Sequence, residues 1–356
     1  MMKPWVSMWV LVGAALAASG CGQKPVEADG GARCTLNSQC PAGKTCVRGD
    51  CVEIVTPPGD DGGYDAGFDA GDDAGVDAGF DAGPEDAGPQ GNCEDPFDAG
   101  LGPFTFDIDA GKPDGSISIQ LIQDPDAGPK PANPSNVFLW GVVAVTPRAL
   151  ISGFDGGTCT YGAWVSEPNG GPSSGIGIID YPFAADGGLE HGPNCPDGGF
   201  IPGDLAVGEA LSVHGRYSEF CISCGGNYIA EVNVTSLERL GTAPVPPPVV
   251  VTASDVGEGV SPKPELNRRL EGTLVQLRDV EVSNINPDAP KFYYNFLVQT
   301  AGGSGQDSCF VHNAFDFNYR PKLGHKFKCI TGPLTYSFGH WKVQPRTDWD
   351  LVRLLP

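Results

Sequence analysis

"LEGTLVQLRDVEVSN", Leu270–Asn284, and "NVFLWGVVAVT", Asn136–Thr146, decide how the folded part of this chain is read. Both are rich in β-branched and aromatic residues, and neither shows the three-and-four spacing of apolar positions that marks a helix. Each carries one glycine near its start or centre, Gly272 and Gly141, 131 positions apart. A residue without Cβ lets a long strand coil sharply at least cost, so each stretch is expected to be the long first strand of a unit used twice.

Similar strand-like runs follow in similar order on either side of a proline break, "APVPPPVV" at Ala243–Val250. Before the break come "SISIQLIQ", "YGAWVSEP", "GIGIIDY", "ALSVHGRYSEF" and "NYIAEVNVTSLERLG". After it come "VVVTASDV", "NFLVQT", "SCFVHNAF", "HKFKCITGPLTYS" and "HWKVQPRTDWDLVRL". Gly208 and Gly215 correspond to Gly324 and Gly332 with one residue inserted. Five antiparallel strands with a long bent first one are what a small OB-type barrel needs, and closure removes aggregation-prone edges. The expected fold is all-β: two tandem OB-like five-stranded barrels after a disordered acidic linker and a small Cys-rich module. The expected boundaries are a signal peptide over 1–20, an anchor segment over 21–33, the Cys-rich module over 34–51 and the linker over 52–113. The two OB-like domains would occupy 114–242 and 243–356.

The linker reading rests on "GYDAGFDAGDDAGVDAGFDAG", Gly63–Gly83, with Asp65, Asp69, Asp73, Asp77 and Asp81 four apart. A helix would carry a glycine in every turn, at about 0.8–1 kcal/mol each, and would align like charges. A calcium-binding β-helix needs a nine-residue repeat with stacked apolar positions, which this tract lacks. What remains is a solvated, self-repelling spacer. Residues 52–113 hold sixteen acidic side chains against Lys112 alone, so most of the net charge of −22 belongs there. Some sixty residues of flexible coil average about 45 Å end to end.

The first twenty residues have Lys3 followed by an apolar run from Trp5 to Ala18, too short to span a bilayer. "ASGC", Ala18–Cys21, resembles a bacterial lipobox, which would make Cys21 the lipid-modified first residue of the mature protein. Twelve cysteines in an exported chain point to disulfides. Cys34, Cys40, Cys46 and Cys51 fall within eighteen residues, too few to bury a core, and three pairings among them are open. Cys159, Cys195, Cys221 and Cys224 suit structural disulfides, with a four-thiolate zinc site as the alternative. Cys309 and Cys329 lie in successive runs and are expected to pair, leaving Cys93 over.

Catalytic motifs are weak. "GPSSG", Gly171–Gly175, has the G-x-S-x-G form but no helix follows it, so Ser173 is not expected to act as a nucleophile. The five histidines have no ligand spacing, no phosphate-cradling loop is present, and no cofactor is expected. The best binding signal is basic and aromatic: Lys326, Lys328, Trp341, Lys342 and Arg346 fall in a stretch without acidic residues between Asp316 and Asp348. Such interleaving suits phosphate contacts and base stacking, although "HKFK" also reads as the wet face of a strand.

The Cys-rich segment resembles the small knots near the start of many delta-proteobacterial lipoproteins, and the DAG spacer resembles those of myxobacterial surface lipoproteins. "PPVVVTASDV", "LEGTLVQLRDVEV" and "SFGHWKVQPRTDWDLV" are similar to the OB-like modules attached to bacterial secreted nucleases, with Pro345, Arg346 and Asp350 in the closing positions; the resemblance implies, as the alternative to a ligand contact, that Arg346 sits at the core edge paired with Asp350. The resemblance implies the OB-like fold; with "ASGC", Gly22 and the weak catalytic motifs, the expected protein is a non-catalytic, lipid-anchored cell-envelope protein, in the outer membrane, displaying OB-like binding modules. Its expected partners are the membrane through the N-terminal lipid, and an envelope protein, a glycan or single-stranded nucleic acid. Two alternatives stand beside it: nucleic-acid binding by the second barrel, and a zinc or thiol enzyme using Cys159, Cys195, Cys221 and Cys224.

Overall fold

The computed structural model describes residues 44–47, 50–53, 93, 104–107, 111–152, 158–182, 195, 198–220, 228–257, 263–291, 293–303, 307–315 and 317–354. The chain divides into two units, Met1–Ala74 and Gly75–Pro356. In the first, β1 (Lys44–Val47) and β2 (Asp50–Glu53) pair antiparallel, with Cys46 opposite Cys51 along the backbone. Cys21, Cys34, Cys40 and the repeat Gly63–Gly83 lie outside the described residues.

The second unit holds two sheets. The first contains β3 (Ser135–Ala144), β4 (Ala149–Ser152), β5 (Thr160–Ser166), β6 (Gly175–Asp180), β7 (Glu209–Phe220) and β8 (Ile229–Thr242). Its order is β3-β7-β8-β6-β5-β4, with a further two-residue pairing of β3 to β5. The second contains β9 (Val249–Val251), β10 (Leu274–Asn284), β11 (Phe296–Thr300), β12 (Ser308–Val311), β13 (Lys326–Ser337), β14 (His340–Val343) and β15 (Leu351–Arg353). Its order is β15-β13-β14-β12-β11-β10-β9, and β13 also pairs with β10.

These sheets correct the expectation of two tandem OB-like five-stranded antiparallel barrels. They hold six and seven strands, and the pairs β6–β8, β9–β10 and β12–β14 are parallel. β4, β9 and β15 are each paired on one side alone, so two mixed sheets with edges replace the expected edge-free barrels. The extra strands are β4, which lies in none of the strand-like runs, β9, the opening of "VVVTASDV", and β15, the last residues of the closing run.

One expected strand is a helix. "SISIQLIQ" folds as α1 (Ile119–Gln123) because the Ser118 side chain accepts from the Leu121 N–H and Glu167 accepts from the Ile119 N–H at 2.7 Å. Two more short helices, α2 (Ala253–Val256) and α3 (Pro264–Leu270), lead into β10. Thr252 and Asp255 make a capping box for α2, and proline at the start of α3 loses nothing there. Among the described residues no helix is long and apolar enough to cross a membrane.

Each sheet wraps its own core. Ile119, Leu139, Val142, Ile176, Ile178, Leu211 and Tyr217 fill the first. Leu270, Leu277, Phe296, Phe327, Ile330 and Leu334 fill the second. Burying a side chain of this size contributes about 1.5–3 kcal/mol. Gly141 has φ +69 and sits in a bulge where the β3–β7 register shifts between Trp140 and Val142. A Cβ there would meet the Phe106 ring at 3.0 Å, so the glycine both bends the strand and seats Phe106. Residues from within 52–113 belong to this packing: Cys93 is bonded to Cys329, and the Thr105 and Phe106 N–H groups donate to Thr242 O at 3.0 Å.

Candidate functional site

Among the described residues the cysteines with placed side chains separate into two bonded pairs and a buried thiol. Cys159 is bonded to Cys195 and Cys93 to Cys329. The expected Cys309–Cys329 pairing is therefore corrected: Cys309 faces the core of the second sheet, its thiol against the Phe310 carbonyl at 3.4 Å. Cys329 faces away from that core and packs with Cys93 and Val352. A bulge explains the divergence. The β13–β15 register shifts between Phe327 and Cys329, so Phe327 and Ile330 both enter the core while Cys329 leaves it. Cys221 and Cys224 lie outside the described residues, as do the side chains of Cys46 and Cys51. With Cys159 and Cys195 consumed in a disulfide, the proposed zinc or thiol enzyme loses its ligands. No group of three or more His, Cys, Asp or Glu side chains that could hold a metal occurs among the described residues.

The basic and aromatic residues do not form one surface. Lys326 and Lys328 are exposed on β13, alternating with buried Phe327 and Cys329. Trp341 is in the core beside Tyr336, with ring centroids 5.0 Å apart. Lys342 is buried, its ammonium 5.6 Å from the Phe310 ring and 5.5 Å from the Phe338 ring. Arg346 is enclosed: Nε and one terminal nitrogen donate to Asp350 at 2.8 and 2.6 Å, and the other donates to Val145 O at 3.2 Å. Stacking on nucleic-acid bases needs open aromatic faces, and Trp341 offers none. The nucleic-acid reading of this cluster falls with the barrel it was placed on.

Sequence reasoning passed over a different surface. On β3, Val137 and Leu139 point into the core, so Phe138 and Trp140 point outward, half-buried. Directly across on β7 stands exposed His214, stacked on Phe138 with centroids 4.1 Å apart and planes 7° from parallel. Trp140 meets Phe138 edge-on at 6.3 Å, and Phe106 meets Trp140 at 6.4 Å. Asn136 and Arg216 form the next exposed cross-strand pair, and exposed Ser236 lies opposite His214 on β8. The available signal was the alternation itself: the outward positions of "NVFLW" are aromatic where solvent-facing strands carry polar residues.

The two sheets meet at a polar junction. Gly175 opens β6 against Gly272, where a Cβ on Gly175 would lie 2.1 Å from Gly272 O. Ser173, in the β5–β6 turn at φ +61, donates its N–H to Arg269 O at 2.5 Å, and its side chain is buried in the junction. It sits in a hairpin turn, not on the strand-to-helix elbow that raises a nucleophile. Glu271 Oε1 accepts the Ala230 N–H of β8 at 2.5 Å, and Gln123 donates to Gly175 O at 3.1 Å and Glu271 O at 3.4 Å. Burial pushes the Glu271 carboxyl up to about 7, against the pull of Arg268. Glu231, next along β8, is also pushed up to about 7 by burial, although Asn233 and Ser218 hydrogen-bond it.

No family model matches the chain, and no curated protein matches it. Among solved structures, a chain described as an aspartyl-tRNA synthetase from Leishmania major Friedlin is 10% identical over 46% of this chain and 27% of its own, with a TM-score of 0.23. One described as "Structural mimicry for functional antagonism" is 12% identical over 63% and 95%, at 0.24. A deletion mutant of the single-stranded DNA binding protein from Thermus aquaticus is 13% identical over the same shares, at 0.16. The chain thus spans about a quarter of the synthetase, and likenesses this slight support neither a fold nor a function. The resemblance to DAG-repeat outer-membrane lipoproteins with nuclease-type OB-like modules is overturned on the same ground. The function inferred from it, display of OB-like binding modules, falls too.

Proposed function

We propose that the protein works by contact rather than catalysis, in the cell envelope, with its first sheet recognising saccharide through the outer face of β3, β7 and β8. Membrane contact through Cys21 is a second part of the proposal. The observation that carries the saccharide reading is the ladder Trp140–Phe138–His214, half open to solvent and bordered by Asn136, Arg216 and Ser236. Aromatic rings complement the apolar C–H face of a sugar, while amide, guanidinium and hydroxyl groups hydrogen-bond its hydroxyls. The envelope reading draws support from the two disulfides, which persist in oxidising compartments, and from the signal-like first twenty residues.

A glycan array probed with the full chain, exported and oxidised, tests this. Binding to at least one glycan class is expected, with His214→Ala weakening it about tenfold, the scale of one aromatic contact. Lys326→Ala, on the other sheet, should bind like the parent. An array without signal, or a His214→Ala variant that binds unchanged, ends the saccharide reading.

A further inference from the structure

Four buried side-chain oxygens around the junction lack a hydrogen-bond partner among the described residues, Gln123 Oε1, Ser173 Oγ, Asn267 Oδ1 and Thr273 Oγ1, while Glu271 Oε2 lies 3.4 Å from the Arg268 guanidinium. Their residues are each 4% exposed or less. Backbone and side-chain bonds tie the residues that carry them to one another's neighbours. Gln123 donates to both Gly175 O and Glu271 O, a Cβ on Gly175 would touch Thr273 N at 2.4 Å, and Ser173 is bonded to Arg269, two residues before Glu271. Asn267 lies one helical turn before Glu271.

The shortage is one of donors. The Gln123 and Asn267 oxygens can only accept, and each hydroxyl supplies one proton. An ionised Glu271 would add another acceptor to a buried group already rich in them. A protonated Glu271 is the one change of state that turns an acceptor there into a donor, while Oε1 keeps the Ala230 N–H.

We infer that Glu271 carries the proton that ties the two sheets of the second unit together, making their junction a latch that is tightest in mild acid and slackens toward neutral pH. This stands apart from the saccharide reading. The charged groups facing Glu271 agree with it. Arg268, on α3, lies 3.4 Å from Oε2 and favours the anion, but it also holds Glu219 of β7 at 2.9 Å. Lys130, from the segment after α1, is engaged by the same Glu219 at 2.5 Å and acts on Glu271 only from a distance. From β8 come the neutral Ala230 N–H and the acidic Glu231, and from α1 the neutral Gln123. Burial outweighs them, and the carboxyl is raised from 4.5 to about 7.

The sign follows from linkage. Between those two values the closed junction holds a proton that opening releases, so the closed state loses about tenfold in stability per pH unit as pH rises, then levels off above neutrality.

Hydrogen exchange at the Ala230 amide of the full chain, corrected for intrinsic rates, reads this from about pH 5 to 8. Protection is expected to fall about tenfold per unit up to neutrality and then flatten. In Glu271→Gln the profile should be flat, because the amide accepts from Ala230 and donates in place of the carboxyl proton. Glu231→Gln, within the first sheet, should keep the slope. A flat wild-type profile overturns the inference, and so does a slope that survives in Glu271→Gln. Should Glu271→Gln not fold, carbon NMR of the Glu271 carboxyl in the wild type decides: a midpoint near 7 supports the latch, and one near 4.5 sinks it. A rise in protection on adding calcium chloride at alkaline pH would assign the missing donor to a cation and overturn the proton.

Discussion

Arg346 and Asp350 form an ion pair with both side chains at 0% exposure, closed by a third bond from the Arg346 N–H to Asp350 Oδ2. Two charges removed from water gain little over an apolar pair, but one left behind without its partner is costly. Arg346→Ala should therefore destabilise the protein by about 3–5 kcal/mol, seen as a lower midpoint of chemical denaturation. The double variant with Asp350→Ala should recover part of that loss, and its failure to do so would show that the bond to Val145 O carries the energy instead. In the sequence "PRTDWD" offered this pair as the alternative to a ligand contact by Arg346. A string of residues shows charge but not enclosure, so the same Arg346 that suggested a ligand contact turns out to bind its own chain across 201 positions.

Among the elements, the Gly175–Gly272 contact sets how closely β6 approaches the start of β10. The Cβ of Gly175→Ala would meet backbone atoms at 2.1 to 2.4 Å, and backbone cannot swing aside as a side chain can. Overpacking at such a site costs about 1–3 kcal/mol or more, so Gly175→Ala should lower the thermal midpoint and raise exchange at Ala230. A midpoint unchanged from wild type would mean the sheets separate without penalty. The strand texture of both halves was legible because β-branched residues cluster where β3, β8, β10 and β13 run. The helix α1 was not. "SISIQLIQ" alternates as a strand does, and it coils where Ser118 caps the turn and Glu167, 48 residues on, takes the Ile119 N–H. Strand number also escaped the reading: β4, β9 and β15 are three or four residues long, shorter than any pattern can establish.

For the whole molecule, the Cys93–Cys329 bond spans 236 residues, all of the first sheet and the second as far as the start of β13. Closing a loop that long constrains the unfolded chain by roughly 5 kcal/mol in the chain-entropy picture. Cys93→Ser should lower stability on that scale, while Cys159→Ser, whose loop spans 36 residues, should cost less. Equal losses measured under oxidising conditions would point to local packing as the source. The pairing was illegible because a bulge in β13, invisible in "HKFKCITG", turns Cys329 outward to a cysteine placed in the spacer.

That bond also fixes how tension would travel. A tug on any residue ahead of Cys93 passes through sulfur into Cys329 and leaves by the last strands, bypassing the first sheet altogether. At that position β13 is held by β10 on one flank and β15 on the other, so the load enters a strand bonded along both of its sides. The stretch between the two sulfurs, aromatic ladder and polar junction included, would keep its shape while the chain around it is pulled taut.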